Sequence, residues 1–161
     1  MRPERDPSVK FKGTYREAAW QRAASMSAPD GIRFTMWARD DYPTWSLPAL
    51  EAAKCAALQG DDAFERVHLL LFEAFFNKGI NIGIREEVIE VVRGADVEMS
   101  RFLKDYEAGA ARTAVLKEYE KAITTYQVNS IPTVIFDGGQ KVIGATSLDE
   151  YLKILVGLGL S

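Results

Sequence analysis

One proline limits the folds open to this chain more than any other residue. Pro132, within Ser130-Ile131-Pro132-Thr133, stands directly before the apolar run Val134-Ile135-Phe136, and Asp137-Gly138-Gly139 closes that run with a turn. Proline has no N–H for a ladder, so within sheets it is confined to a strand's first residue, an edge or a bulge. The run after it favours β structure and lacks polar alternation, which predicts a strand covered on both faces. A proline at the mouth of such a strand leaves nearby backbone groups able to receive an extended segment by strand addition. The pattern therefore predicts a binding loop at Ser130, Ile131, Pro132 and Thr133.

The 161 residues are 47% apolar and 27% charged, which allows one domain with a real core and an inserted subdomain. A net charge of -3 gives no electrostatic footprint for nucleic acid. No apolar run reaches the length of a membrane span. The charged start, Met1-Arg2-Pro3-Glu4-Arg5-Asp6, lacks the apolar stretch of a signal peptide, and a cytoplasmic location is expected. One cysteine, Cys55, and one histidine, His68, cannot build an internal disulfide, a thiolate zinc site or a multi-histidine centre. No metal or cofactor is expected.

Residues 1–13 read as loosely held. Thr14 is placed to cap a helix to about Met26, with Ala18, Ala19, Trp20, Ala23 and Ala24 as its packing stripe. After a turn at Pro29-Asp30-Gly31, the alternation of Ile32, Phe34 and Met36 predicts a short extended segment able to add a third strand. Ser46 starts an alanine-rich helix that ends at Gly60, with Pro48 tolerated in its first turn. Asp61 or Asp62 is expected to cap the helix Ala63 to Phe76, whose Phe64, Phe72, Phe75 and Phe76 are expected in the core of a helical block. Further helices are predicted over Arg85–Arg93, Glu98–Glu107 and Ala110–Tyr126. Strands Thr133–Phe136 and Lys141–Ile143 then form a hairpin. Ser147-Leu148-Asp149-Glu150 is a capping box that opens a last helix. An isolated hairpin is marginal in water. Its sheet is expected to be completed by another chain or by residues preceding Met1.

This order resembles the DsbA-like thioredoxin-fold oxidoreductases. The carrying residues are a helix-rich block, Tyr126-Gln127-Val128-Asn129-Ser130-Ile131-Pro132-Thr133-Val134-Ile135-Phe136, then Gly138-Gly139, Gly144-Ala145 and a terminal helix. Ser46 to Ala56 and Leu71-Phe72-Glu73-Ala74-Phe75-Phe76 are similar to the helical insertion of the FrnE-type subgroup. The resemblance implies a cis Ile131–Pro132 bond and a loop that holds extended substrate near a redox-active C-x-x-C. No C-x-x-C occurs here. The βαβ unit that carries it in the family is expected to lie before this sequence.

Cys55 lies mid-helix, away from any N-terminus that would lower its pKa, and reads as packing; its sharper alternative is one-thiol chemistry or an intermolecular disulfide. His68 reads as a hydrogen-bonded structural residue, with no nucleophile marked for it to serve. Trp37, Tyr42, Pro43 and Trp45 fit either a groove wall beside the Ile131-Pro132 loop or ordinary core. Glu86-Glu87 and Glu118 to Lys121 read as solvated helix faces.

The expected architecture is α/β, a partial thioredoxin-like (DsbA-like) fold. Residues 1–45 lead into a helical insertion over 46–107, and 108–161 form the C-terminal hairpin plus helix. The expected substrate-binding residues are Ser130, Ile131, Pro132, Thr133, Trp37 and Tyr42, with no catalytic residue in the chain. The resemblance implies a thiol–disulfide oxidoreductase that is redox-inactive as this chain, with an extended peptide or thiol as substrate. Alternatives are a peptide-binding or chaperone-like module, or a relative of kappa-class glutathione transferases and chromene-carboxylate isomerases. A homodimer completing the sheet is expected; nucleic acid and membrane are not.

Overall fold

A computed structural model describes residues 6, 8–136 and 139–159. Asp137 and Gly138 of the expected hairpin turn, and the charged start from Met1 to Arg5, lie outside the described residues. The fold is mostly helical with one small antiparallel sheet. Its contacts divide the chain into two compact units, one up to Lys117 and one from Glu118 onward.

The first unit contains α1 (Tyr15–Ser27), α2 (Leu47–Ala57), α3 (Asp61–Phe76), α4 (Arg85–Arg93), α5 (Met99–Glu107) and the start of α6 (Arg112–Thr124). Helix α2 packs against α3, α4 and α5. Its sequence explains this position. Eight of its eleven residues are buried, among them Ala49, Ala52, Ala53, Cys55 and Ala56. A helix apolar around most of its circumference must be enclosed, and small side chains let its neighbours approach closely. The surrounding helices supply the bulk: Val67 and Leu71 from α3, Val88 and Val92 from α4, Phe102 and Tyr106 from α5. The rings of Phe102 and Tyr106 stack at 5.2 Å and are wholly buried. Each such side chain contributes roughly 1.5–3 kcal/mol of burial.

The cap of α3 is not an aspartate. Gly60 takes that place at φ 121, a conformation that side chains rarely adopt. Asp61 and Asp62 fall inside the first turn instead, where their charge favours the positive helix end.

A second core of this unit is aromatic. Phe11, Trp20 and Trp37 are buried, and Phe34, Tyr42, Phe75 and Phe76 pack around them. Trp20 meets Phe11, Phe34 and Phe75 edge-on at 5.0–5.7 Å and donates its indole N–H to Thr35 O at 3.1 Å. Two expectations are corrected here. Of the segment expected to be loosely held, the described part around Phe11 is not so, because Phe11 is buried and stacks on Tyr42 at 4.9 Å. Ile32 to Met36 forms no strand. Thr35 N–H bonds to Phe76 O at 2.8 Å, so the segment is fastened to the end of α3 rather than to a ladder. The stripe expected on α1 narrows to Trp20, its one buried residue. Thr14 caps that helix as expected, accepting from Arg16 N–H.

In the second unit, α6 ends as Gln127 turns to φ 52 and Val128 N–H reaches back to Ala122 O at 2.9 Å. Strands β1 (Thr133–Ile135) and β2 (Lys141–Ile143) pair antiparallel, Val134 opposite Val142. Helix α7 (Leu148–Gly157) starts at Ser147, whose Oγ accepts from Glu150 N–H. Phe136 and Tyr151 bring hairpin and helix together at 6.3 Å. No described residue of this unit is fully buried. The cover expected on both faces of β1 is therefore not there: all three of its residues are half-buried. Among the described residues each strand has a single neighbour, and α7 is the one helix shown against the hairpin by a ring contact.

Candidate functional site

The loop ahead of β1 is built from both ends. Lys141 Nζ, on β2, donates to Tyr126 O at 2.5 Å and fastens the chain as it leaves α6. Thr133 Oγ1 donates to Ser130 O at 2.7 Å and closes a tight turn over Ile131 and Pro132. Pro132 O accepts from Gly144 N–H at 2.8 Å, which joins the loop to the end of β2. The Ile131–Pro132 peptide bond is cis.

Between these anchors Ile131 is 79% exposed. Among the described residues nothing bonds to its N–H or C=O. The exposed edge continues along β1. Gly144 bonds to Pro132 at one end and Phe136 to Gln140 at the other. With the observed register, Val134 and Val142 are then the mutually bonded pair. Alternation in an antiparallel ladder turns the N–H and C=O of Thr133 and Ile135 to the opposite edge. Ile131, Thr133 and Ile135 thus present a row of backbone donors and acceptors with the spacing of an extended chain. Ser130, Ile131, Pro132 and Thr133 stand together here, in the second unit. Ile135 and the Lys141 anchor were not expected. The fourteen residues between Tyr126 and Lys141 carry no local signal of that bond.

Trp37 and Tyr42 belong to the first unit and meet each other at 5.4 Å. Trp37 is 2% exposed and sits in the aromatic core, so it is no groove wall. Its Nε1 is buried and has no hydrogen-bond partner among the described residues. Tyr42 is half-buried, lines a cleft of about 160 Å3 with Asp41, Thr44, Trp45 and Asn81, and has its hydroxyl pKa raised by burial.

The other candidates are structural. Cys55 is buried, and desolvation pushes its thiol up to about 11, the reverse of an activated thiolate. His68 is exposed, not hydrogen-bonded into the core. Its ring stacks on Phe64 at 5.3 Å and meets Phe72 at 4.8 Å. Phe72 itself is 51% exposed, which corrects its placement in the core.

Two polar networks escaped the sequence reading. Glu51, 2% exposed on α2, bonds Arg112 and reaches Arg85 at 3.5 Å. Arg85 also donates to Tyr106 O and lies 3.8 Å over the Tyr106 ring, while Tyr106 OH donates to Pro48 O. This ties α2, α4, α5 and α6 through one carboxylate. The second network has Arg39 forked onto both Asp41 and Glu87, with buried Asn81 between them. Hydrogen bonds from Arg39 hold both carboxyls below their usual range.

Among the described residues no cluster of His, Cys, Asp or Glu is placed to hold a metal ion. No described helix is long and apolar enough to cross a membrane. The profile of a family described as DSBA-like thioredoxin domain matches residues 15–156. No curated protein matches the chain.

Proposed function

The chain belongs to the DSBA-like thioredoxin domain family, and from that premise we propose that it is the substrate-holding part of a thiol–disulfide oxidoreductase of the FrnE type. One observation carries this reading: the exposed backbone of Ile131, unbonded among the described residues and continued by the outward groups of Thr133 and Ile135. An extended peptide meets such an edge by main-chain hydrogen bonds, and alternate side chains set its preference. Disulfide exchange requires a thiolate attacking a disulfide sulfur, with a second thiol to resolve the mixed disulfide. The 161 residues hold one cysteine, and it is buried with a raised pKa. The holding step is what this chain performs; the exchange step takes its cysteine pair from elsewhere.

The test is a nuclear magnetic resonance titration with a panel of extended peptides. The amides of Ile131, Thr133 and Ile135 should shift first, and Thr133→Pro, which removes one outward N–H, should weaken binding about tenfold. A panel that leaves those three amides unmoved defeats the proposal. Insulin reduction by the chain that persists in Cys55→Ser would defeat its redox-silent part.

A second reading, a peptide-binding module with no redox partner at all, is favoured by the state of Cys55. It predicts the same amide shifts and a rise in melting temperature with peptide. It is separated from the first by supplying a C-x-x-C thioredoxin-type partner: only the first reading predicts faster disulfide exchange on bound peptide.

A further inference from the structure

The outer face of α3 carries a ridge of rings at four-residue spacing: Phe64, His68, Phe72 and Phe76. Successive rings touch at 5.3, 4.8 and 5.8 Å. The ridge runs twelve residues, about 18 Å at the helical rise. Phe72 is 51% exposed, and Leu69 beside it is 60% exposed. Ile32, Phe34, Phe72 and Phe76 line an open pocket of about 430 Å3 at the C-terminal end of the ridge. Scattered apolar residues on a surface need no explanation, but a contiguous aromatic ridge beside an apolar pocket marks an interface.

The ends of this ridge differ in charge. Arg33 lines the pocket at the Phe76 end beside Glu73, whose charge is met by Lys78 at 3.1 Å. Glu65 lies one residue past Phe64 at the other end, exposed. Neither Arg33 nor Glu65 has a hydrogen-bond or ion-pair partner among the described residues. A two-fold axis through the ridge, between His68 and Phe72, lays Phe64 of one copy on Phe76 of the other and His68 on Phe72. The same operation sets each Arg33 near the other copy's Glu65. The surface is therefore complementary to itself in shape class and in charge, as an isologous interface demands.

We propose that the ridge on α3, with its pocket, is the interface of a homodimer in which two copies of this chain pack their α3 helices antiparallel. The occupant of the pocket is the Phe64 end of the second copy. This interface lies wholly in the first unit and is independent of the peptide edge at β1.

Sedimentation equilibrium of the full chain tests it. The protein should dimerise, and Phe72→Glu should weaken the dimer about 100-fold or more, the scale of a central aromatic anchor. Because Phe72 is exposed, the variant should keep the helical circular dichroism of the parent, and its melting temperature should match the parent's at concentrations too low for the parent to dimerise. The charge pair gives a second measurement that leaves the rings alone. Arg33→Glu and Glu65→Arg should each weaken the dimer about tenfold, because the two-fold axis counts the pair twice. The double variant should return to within about twofold of the parent, since it restores both pairs. A monomer at high protein concentration overturns the proposal. So does a dimer indifferent to Phe72→Glu, or a double variant no tighter than either single one. A dimer that is instead lost with Thr133→Pro assigns association to the β1 edge and overturns it as well.

Discussion

The helices up to Lys117 and the hairpin with its helix from Glu118 onward solve opposite problems. The first region encloses Ala52, Val67, Val88, Phe102 and Tyr106 almost completely and adds a second, aromatic core around Trp20. The second region has no fully buried residue among those described. It leaves Ile131, Ile143, Leu148, Leu152 and Val156 in solvent. Leu148, Leu152 and Val156 recur at four-residue spacing, so α7 is apolar on a side that does not meet the hairpin. A helix apolar on more than one side wants a second covering layer. The contrast teaches where free energy is left to be gained. Apart from the ridge on α3, the helical block has already gained its burial, whereas the hairpin and α7 gain theirs when something covers β1 and the outer side of α7. That is the physical condition for a region that binds.

Substitutions should break along the same line. The largest effect belongs to the dense core: Phe102→Ala should cost about 3–5 kcal/mol in urea unfolding, the loss of a large buried ring plus its cavity. A cost below 1 kcal/mol would mean that the first region is no better packed than the second. Glu51→Gln comes next. Glu51 is buried while Arg85 and Arg112 reach solvent, so the cost should be about 2 kcal/mol, less than for a fully buried pair. Gly83→Ala probes a close approach in the same region. A methyl there would lie 2.9 Å from Trp45 Cδ1 and 3.1 Å from Trp45 O, and the carbonyl cannot swing aside. About 1–2 kcal/mol of destabilisation is expected, read as a lowered melting temperature.

Acid should act on the first region through Arg39. Asp41 and Glu87 have folded pKa values lowered by their hydrogen bonds to Arg39. Their contribution is present above the ordinary carboxylate values, near pH 4, and is lost as pH falls through the lowered ones. Both partners of the Arg39–Asp41 pair are 39% exposed. Solvent screening therefore keeps the effect below about 1 kcal/mol. Arg39→Ala should flatten the acid limb of the stability profile; an unchanged limb would remove these carboxyls from the account. The smallest effect is expected in α7, where Leu152→Ala should cost no more than about 0.5 kcal/mol. Hydrogen exchange sharpens the comparison without substitution. Amides of β1 should exchange faster than those of α2, and protection of β1 should rise when a peptide binds.

Much of the fold was legible as local pattern. Arg85–Arg93 and the Ser147 cap were readable because helix periodicity and capping act within a few residues. The proline loop was readable for the same reason: a proline before an apolar β run constrains backbone that lies next to it in sequence. Burial was the weaker inference. Phe72 and Trp37 are both large aromatics in apolar surroundings, yet one is half in solvent and the other is enclosed. Composition around each residue cannot tell these apart, because enclosure depends on which other helix arrives. Phe11 shows the converse, a core residue in a stretch whose neighbours are polar.

The chain's own residues, taken in order, determined the helices, the hairpin, the prolyl loop and the absence of a cysteine pair, since each follows from near-neighbour chemistry or from simple counting. Tertiary structure alone decided that Glu51 gathers Arg85 and Arg112, that Lys141 fastens Tyr126, and that Thr133 and Ile135 face an open edge. These depend on groups brought together from distant positions, and no local pattern records the path that joins them.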